Sequence, residues 1–256
     1  MGIDVGSVST NVVLIDEENE LVYKRYLRTQ GRPLDILKDG IREVADEFKE
    51  YNILGVGTTG SGRYLASVLT GADVIKNEIS CHAVAALNYN PKTKTVLEIG
   101  GQDSKIIIIN NGIVVDFAMN TVCAAGTGSF LDRQALRLGM EISDFGLYAL
   151  KSSNSVRIAG RCAVFAESDM IHKQQLGHNQ EDIIRGLCDA LVRNYLSNIA
   201  KGKDLKPPIL FQGGVAANEG IRKAFENELN EEIYVPPNFD VMGAIGAAIL
   251  SKDVVQ

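Results

Sequence analysis

No stretch of about twenty apolar residues occurs in this 256-residue chain, so no segment is written to cross a bilayer as a helix. The longest evident aliphatic run is Ile106 to Ile109. Positive charge is also in deficit. The 26 Lys and Arg face 32 Asp and Glu, and the net charge of −6 argues against nucleic acid as the main partner. The opening Met1-Gly2-Ile3-Asp4 lacks the basic and apolar regions of a leader and reads as a strand. Histidine is scarce: His82, His172 and His178 make no Ser–His–Asp set and read as surface or packing residues. Four cysteines are too few for a disulfide scaffold, so a reducing, cytoplasmic setting is expected. What remains is an ordinary globular composition, 45% hydrophobic and 23% charged. Its length suits one large domain or two of about 125 residues.

The first segment reads as three strands, Gly2 to Gly6, Asn11 to Asp16 and Glu20 to Leu27. A helix follows Pro33, with Leu34, Leu37, Ile41, Val44, Ala45 and Phe48 at helical spacing. Ile53 to Gly57 reads as a short buried strand, and Gly60 to Leu69 and Glu78 to Leu87 as helices. The pattern then recurs. Thr95 to Gly100, Ser104 to Ile109 and Ile113 to Met119 are again three strands, with Asn110-Asn111-Gly112 as a hairpin turn. Asp4-Val5-Gly6 aligns with Glu98-Ile99-Gly100, and Asn11 with Lys105. This predicts an α/β chain built by duplication from two βββαβα-type lobes. The second half is mainly helical, over Thr127 to Leu138, Ser143 to Leu150, Cys162 to Gln175 and Glu181 to Ala200. A strand from Ile209 to Gln212, a helix from Ala217 to Leu229 and a strand from Glu232 to Val235 follow. The last helix, Val241 to Leu250, is rich in small residues and suited to close packing. The lobes are expected at 1–92, with 240–256 packing back on them, and at 93–239.

Three loops have phosphate-binding character. Asp4-Val5-Gly6-Ser7-Val8-Ser9-Thr10 sets an acid at a strand end before a hydroxyl-rich hairpin, which offers N–H groups and hydroxyls to phosphate oxygens. Asp4 would hold Mg²⁺ through water, because Mg²⁺ dehydrates reluctantly. Gly100-Gly101-Gln102-Asp103 is a second loop of the same kind. Gly213-Gly214-Val215-Ala216 follows an apolar strand and precedes a helix, where glycine lets a nucleotide approach the backbone. None has the Walker A or dinucleotide glycine pattern. Phosphoryl transfer to water needs positioning and charge neutralisation. Asp4 with Glu98 or Asp103 would hold Mg²⁺ and orient water, and Gln102 would position the attacking water. Lys105 reads either as a phosphate-facing cation or as a solvated charge.

The cysteines divide into two pairs. Cys81 and Cys188 fall within helical segments and read as small buried hydrophobes. Cys123 opens Cys-Ala-Ala-Gly-Thr-Gly, and Cys162 sits in Gly-Arg-Cys-Ala-Val-Phe-Ala-Glu-Ser. Both are expected where a strand gives way to a helix, and positive helix ends favour thiolates. Neither has a second cysteine nearby for a C-x₂-C knuckle. Two thiolates are half the set a [4Fe–4S] cubane takes, and a symmetric dimer would supply the other half. Glu167 and Asp169 read as solvated or capping residues.

The three loops together resemble phosphate 1, phosphate 2 and the adenosine motif of the acetate and sugar kinase, heat-shock chaperone and actin superfamily. Glu98-Ile-Gly-Gly-Gln-Asp-Ser-Lys105, Cys123-Ala-Ala-Gly-Thr-Gly128, Cys162 to Ser168 and Gly213-Gly-Val-Ala216 more specifically resemble the activators of 2-hydroxyacyl-CoA dehydratases. These activators are related to the ATPase subunits of benzoyl-CoA reductase. The resemblance spans nearly the whole chain and implies a duplicated actin-like ATPase fold with a helical, cluster-binding dimer seam. It implies a homodimer of anaerobic metabolism with one [4Fe–4S] cluster held by Cys123 and Cys162 of each subunit. ATP or ADP with Mg²⁺ would lie in the cleft between the lobes. Gly6, Ser7, Ser9, Thr10, Gly100, Gly101, Lys105, Gly126, Gly128, Gly213 and Gly214 would bind the nucleotide, and Gln102, Asp4, Glu98 and Asp103 would act on it. ATP hydrolysis would drive one low-potential electron, supplied by a ferredoxin or flavodoxin, into an acceptor iron–sulfur dehydratase or reductase.

Several residues depart from that family's pattern. Glu98 stands where Asp is usual, and Asn11 where a Lys is expected. Gly160-Arg161 precedes Cys162 where small hydroxyl residues are usual, and Ile171-His172-Lys173-Gln174-Gln175 also differs. These changes bear on the partner more than on the ATPase. Two other readings compete: a small-molecule kinase of the same superfamily, and an ATP-dependent interaction module without iron.

Overall fold

The structure is a computed structural model and describes residues 1–120, 123–160 and 162–255. Its chain divides into two units, Met1–Lys92 with the stretch from Asp240 onward, and Thr93–Phe239.

In the first unit, β1 (Gly2–Val5), β2 (Ser9–Ile15) and β3 (Leu21–Arg28) form an antiparallel meander. Helix α1 (Pro33–Glu47) starts on its proline and turns Leu37 and Val44 inward onto Ile3, Val5 and Val12. β4 (Gly57–Thr59) pairs in parallel with β1, α2 (Arg63–Thr70) follows, and β5 (Val74–Ile75) pairs in parallel with β4. Asn77 caps α3 (Glu78–Tyr89) by accepting the Ser80 N–H at 2.9 Å. The sheet order is β3-β2-β1-β4-β5.

The second unit repeats this plan. β6 (Thr95–Ile99), β7 (Ser104–Asn110) and β8 (Ile113–Asn120) make the meander. Asn111 and Gly112 turn the hairpin at φ of 51° and 76°, the left-handed pair such a two-residue turn requires. Four helices come next: α4 (Gly128–Arg137), α5 (Ile142–Lys151), α6 (Ala163–Gln175) and α7 (Gln180–Asn198). β9 (Ile209–Gln212) then joins β6 in parallel, α8 (Glu219–Leu229) follows, and β10 (Ile233–Tyr234) joins β9. The order is β10-β9-β6-β7-β8. The core is aromatic at its centre, where Phe225 meets Tyr195 and Phe211 edge to face, each at 5.3 Å. Helix α9 (Met242–Val255) returns to the first unit and packs on α3, β1 and β4.

The duplication extends to register. Asp4 stands opposite Asn11 and Thr59, and Glu98 stands opposite Lys105 and Gln212. The aligned pairs expected from the sequence are therefore equivalent in the fold, which is the duplicated actin-like α/β architecture.

The strand expected over Ile53–Gly57 lies instead at Gly57–Thr59. Leu54 and Ile53 are exposed, so this apolar run belongs to the surface. The helix expected from Gly60 starts at Arg63, because Gly60 at φ 88° cannot continue into a right-handed turn. β5 is two residues long and has no periodicity to read.

Candidate nucleotide and thiol sites

In the second unit the β6–β7 loop is closed by the Gly100 N–H, which donates to the Asp103 carbonyl at 3.0 Å. Glu98 and Lys105 face each other across the strands at its base. Lys105 Nζ lies 3.1 Å from Glu98 Oε2 and 2.8 Å from Asp103 Oδ2. The lysine is 2% exposed, so it is not the solvated charge the sequence allowed. Its ammonium is desolvated and compensated by two carboxylates, as a buried charge must be. Tyr195 of α7 donates its hydroxyl to the Lys105 carbonyl at 2.5 Å. Burial holds that phenol well above its usual pKa, so it remains a donor. Gln102 is exposed at the loop tip, next to half-buried Gly101 and Asp103.

The other two glycine loops of this unit close on the same place. Gly213, at φ 86°, ends β9 so tightly that a Cβ there would lie 2.4 Å from the Ile99 carbonyl and 2.6 Å from Glu98 Oε1. Gly214 is exposed at the start of a 3₁₀ turn whose Val215 and Ala216 are buried. Gly128, at the start of α4, donates its N–H to the Gly100 carbonyl at 2.9 Å. Ser129 donates both its N–H, at 2.8 Å, and its hydroxyl, at 2.5 Å, to the Gly101 carbonyl. Glu98, Gly100, Gly101, Asp103, Lys105, Gly128 and Gly213 are thus gathered in one place.

The first unit carries the matching arrangement. Asp4 is half-buried at the end of β1, and the Gly6 N–H closes the hairpin onto the Ser9 carbonyl at 2.8 Å. Ser7 is exposed at the hairpin tip. Thr10 is buried, and its hydroxyl lies 3.1 Å from that of Thr29, which donates to the Gly6 carbonyl at 3.0 Å. The Thr10 hydroxyl therefore braces the hairpin from behind. Gly60 is the counterpart of Gly213: at φ 88°, a Cβ there would lie 2.5 Å from Asp4 Oδ1. Asn11 Oδ1 is buried opposite Asp4 without a hydrogen-bond partner among the described residues. An orphaned acceptor beside a carboxylate fits a hydrated Mg²⁺, whose waters are donors.

The cysteines separate by burial. Cys81 in α3 and Cys188 in α7 are fully buried, and desolvation pushes both thiols up, Cys81 to about 12. Cys123 and Cys162 are half-buried and free. Cys162 is the N-cap of α6, where the sequence places it. Cys123 is not at a helix start. It precedes a single 3₁₀ turn, Ala124–Gly126, and α4 begins only at Gly128. Its loop is pinned at both ends. Asn120 Nδ2 donates to the Cys123 carbonyl at 2.8 Å, and the Cys123 N–H donates to Asn120 Oδ1 at 2.9 Å. Arg161, one of the departures noted above, lies outside the described residues. Glu167 pairs with Arg137 of α4 at 2.8 Å, and Asp169 accepts the Ala159 N–H at 2.9 Å, so both serve the scaffold. Among the described residues no three His, Cys, Asp or Glu side chains gather into a metal site. Cysteine sulfur is the donor a [4Fe–4S] cluster takes, and Cys123 and Cys162 are the two cysteines of the chain that are not fully buried.

A family model described as the BadF/BadG/BcrA/BcrD ATPase family matches residues 1–251. The chain belongs to that family. Within the family it is 36% identical over 252 residues to the (R)-2-hydroxyglutaryl-CoA dehydratase activating ATPase of Acidaminococcus fermentans, covering 97% of this chain and 95% of the relative. The crystal structure of that organism's dehydratase component A superposes with a TM-score of 0.90 at 35% identity, over 100% of this chain and 98% of the other. The activator of the 2-hydroxyisocaproyl-CoA dehydratase from Clostridium difficile, with bound ADPNP, superposes with a TM-score of 0.88 at 33% identity, over 99% and 94%.

Four participants escaped the sequence reading: Gly60, Asn120, Ser129 and Tyr195. Gly60 alone had a readable signal, since Thr-Gly-Ser-Gly after an expected strand mirrors Gln-Gly-Gly-Val. Among the described residues no helix is long and apolar enough to cross a membrane.

Proposed function

We propose that this family member is an ATP-dependent electron-transfer activator. Two copies would share one [4Fe–4S] cluster through Cys123 and Cys162 of each, hydrolyse ATP, and reduce a partner iron–sulfur enzyme by one electron. The partner would be a 2-hydroxyacyl-CoA dehydratase or a related reductase, as the names of the relatives suggest. The donor would be a ferredoxin or flavodoxin, in a reducing cytoplasmic setting. When bound, the cluster supplies a low-potential one-electron couple.

The residues of the chain have these roles. The Gly100–Gly101 loop and Gly213–Gly214 receive phosphate and adenosine, and Gln102 orients the attacking water from the exposed loop tip. Asp4 and Asn11, paired across β1 and β2, would hold a hydrated Mg²⁺. Lys105 fixes Glu98 and Asp103 at the base of the phosphate loop and keeps two carboxylates from repelling a polyanion.

One observation carries the coupling. The carbonyls of Gly100 and Gly101 are bound by the N–H groups of Gly128 and Ser129, and four residues separate Gly128 from Cys123. A loop that shifts on gaining or losing a phosphate pulls on the start of α4 and hence on the Cys123 loop. Nucleotide then biases a two-state element that carries a thiol.

The test is chelation of iron from anaerobically purified, reduced protein without nucleotide, with ADP–Mg²⁺, and with a non-hydrolysable ATP analogue. Stripping should be fastest in the ATP-like state, with a shifted cluster spectrum. Equal rates and spectra in all three states would remove the electron-gating function and leave an ATPase of other purpose.

A further inference from the structure

The two thiol loops lie far apart in sequence, yet one side chain stands between them. Asn194 is in the middle of α7, 2% exposed. Asparagine is a poor choice for a helix interior, because its amide competes for backbone partners. Here the amide faces two loops. Its Nδ2 donates to the Gly160 carbonyl at 2.7 Å, two residues before Cys162. Its Oδ1 lies against Gly126, three residues after Cys123, so closely that a Cβ at Gly126 would come within 3.0 Å of it. The neighbours of Gly160 are held to the same scaffold. Arg193 of α7 donates to the Ile158 carbonyl at 2.8 Å, and Asp169 of α6 accepts the Ala159 N–H.

We infer that Asn194 is a positioning residue for both thiols. It sets the Cys123 loop and the Cys162 loop to a common distance from α7. The role deepens the electron-transfer reading, because a cubane tolerates little error between its sulfurs. It is nevertheless a property of the loops themselves and can be read without iron. The next residue of α7, Tyr195, binds the strand that carries Lys105. Asn194 thus joins the thiol loops to the helix that also braces the phosphate loop.

The experiment measures alkylation of the four cysteines in the apo dimer by iodoacetamide, resolved by mass spectrometry, for wild type, Asn194→Ala and Asn194→Asp. Cys81 and Cys188 are internal reporters of global loosening. In Asn194→Ala the rates at Cys123 and Cys162 should rise together, severalfold, with Cys81 and Cys188 still protected. Asn194→Asp keeps an oxygen toward Gly126 but sets an acceptor against the Gly160 carbonyl, so Cys162 alone should accelerate. After anaerobic reconstitution, Asn194→Ala should lose iron to a chelator roughly ten times faster than wild type, the usual scale for a lost supporting contact around a metal site. Unchanged rates at Cys123 and Cys162 in both variants would overturn the assignment. So would equal acceleration at all four cysteines, which marks general unfolding. If wild type takes up no iron while alkylation follows the expected pattern, Asn194 retains its role and the electron-transfer reading fails.

Discussion

Glu98 and Lys105 face each other across β6 and β7 with both side chains out of water, 5% and 3% exposed, and their charged atoms 3.1 Å apart. The equivalent pair in the first unit is Asp4 and Asn11, which carries one charge instead of two. The duplicated fold therefore keeps an acid at this register position in each half and sets a lysine across from it only in the second. The two halves differ at this pair, Asp4 facing a neutral amide and Glu98 facing an ammonium.

Lys105→Met should destabilise the protein by about 3–5 kcal/mol, because it removes the ammonium that compensates buried Glu98. Lys105→Met with Glu98→Gln should recover much of that loss, since both charges are then gone. Urea midpoints of the three proteins decide the matter. Equal stability of the single variant and wild type would mean the pair is solvated.

Gln102→Ala and Asp4→Ala should each slow Mg²⁺-dependent ATP hydrolysis by on the order of 10²-fold, the usual cost of one positioning or charge-stabilising group. The Gln102 variant should bind ADP nearly as wild type does, because the exposed amide acts on water. Unchanged turnover in both would place the nucleotide elsewhere.

Cys123→Ser and Cys162→Ser should each abolish iron incorporation, because each removes two of the four sulfurs a shared cubane needs. Cys81→Ala and Cys188→Ala should retain wild-type iron, since both thiols are fully buried within helices. Full iron in either of the first pair would sink the ligand assignment.

Burial raises the Cys81 thiol from its ordinary 9.0 to about 12. Below pH 9 the thiol is protonated in both states and the stability linked to it is fully present. Between about pH 9 and 12 the unfolded chain releases this proton and the folded chain keeps it, so stability falls as pH rises. Urea midpoints at pH 8 and pH 10.5 should therefore drop further in wild type than in Cys81→Ala. Equal drops would mean that the thiol is accessible in the native state.

Much of the architecture is legible in the sequence because strand alternation, glycine turns and a repeated acid-glycine loop are local signals. The alignment of Asp4 with Glu98 and of Asn11 with Lys105 needs only residue order, and the register reproduces it. The separation of Cys81 and Cys188 from Cys123 and Cys162 is likewise legible, since helical periodicity marks the first pair as core and flanking glycines mark the second. Position across the fold is another matter. Lys105 reads as charge in the sequence, and only the pairing of β7 between β6 and β8 decides that it is buried against Glu98 and Asp103. The apolar run at Ile53 and Leu54 reads as core, and packing leaves it outside. Asn194 and Gly160 are 34 residues apart, and Tyr195 and Lys105 are 90 apart. No local propensity encodes such contacts. They exist because α7 packs within the second unit's core, bringing one turn of helix beside Gly160 and the strand that carries Lys105.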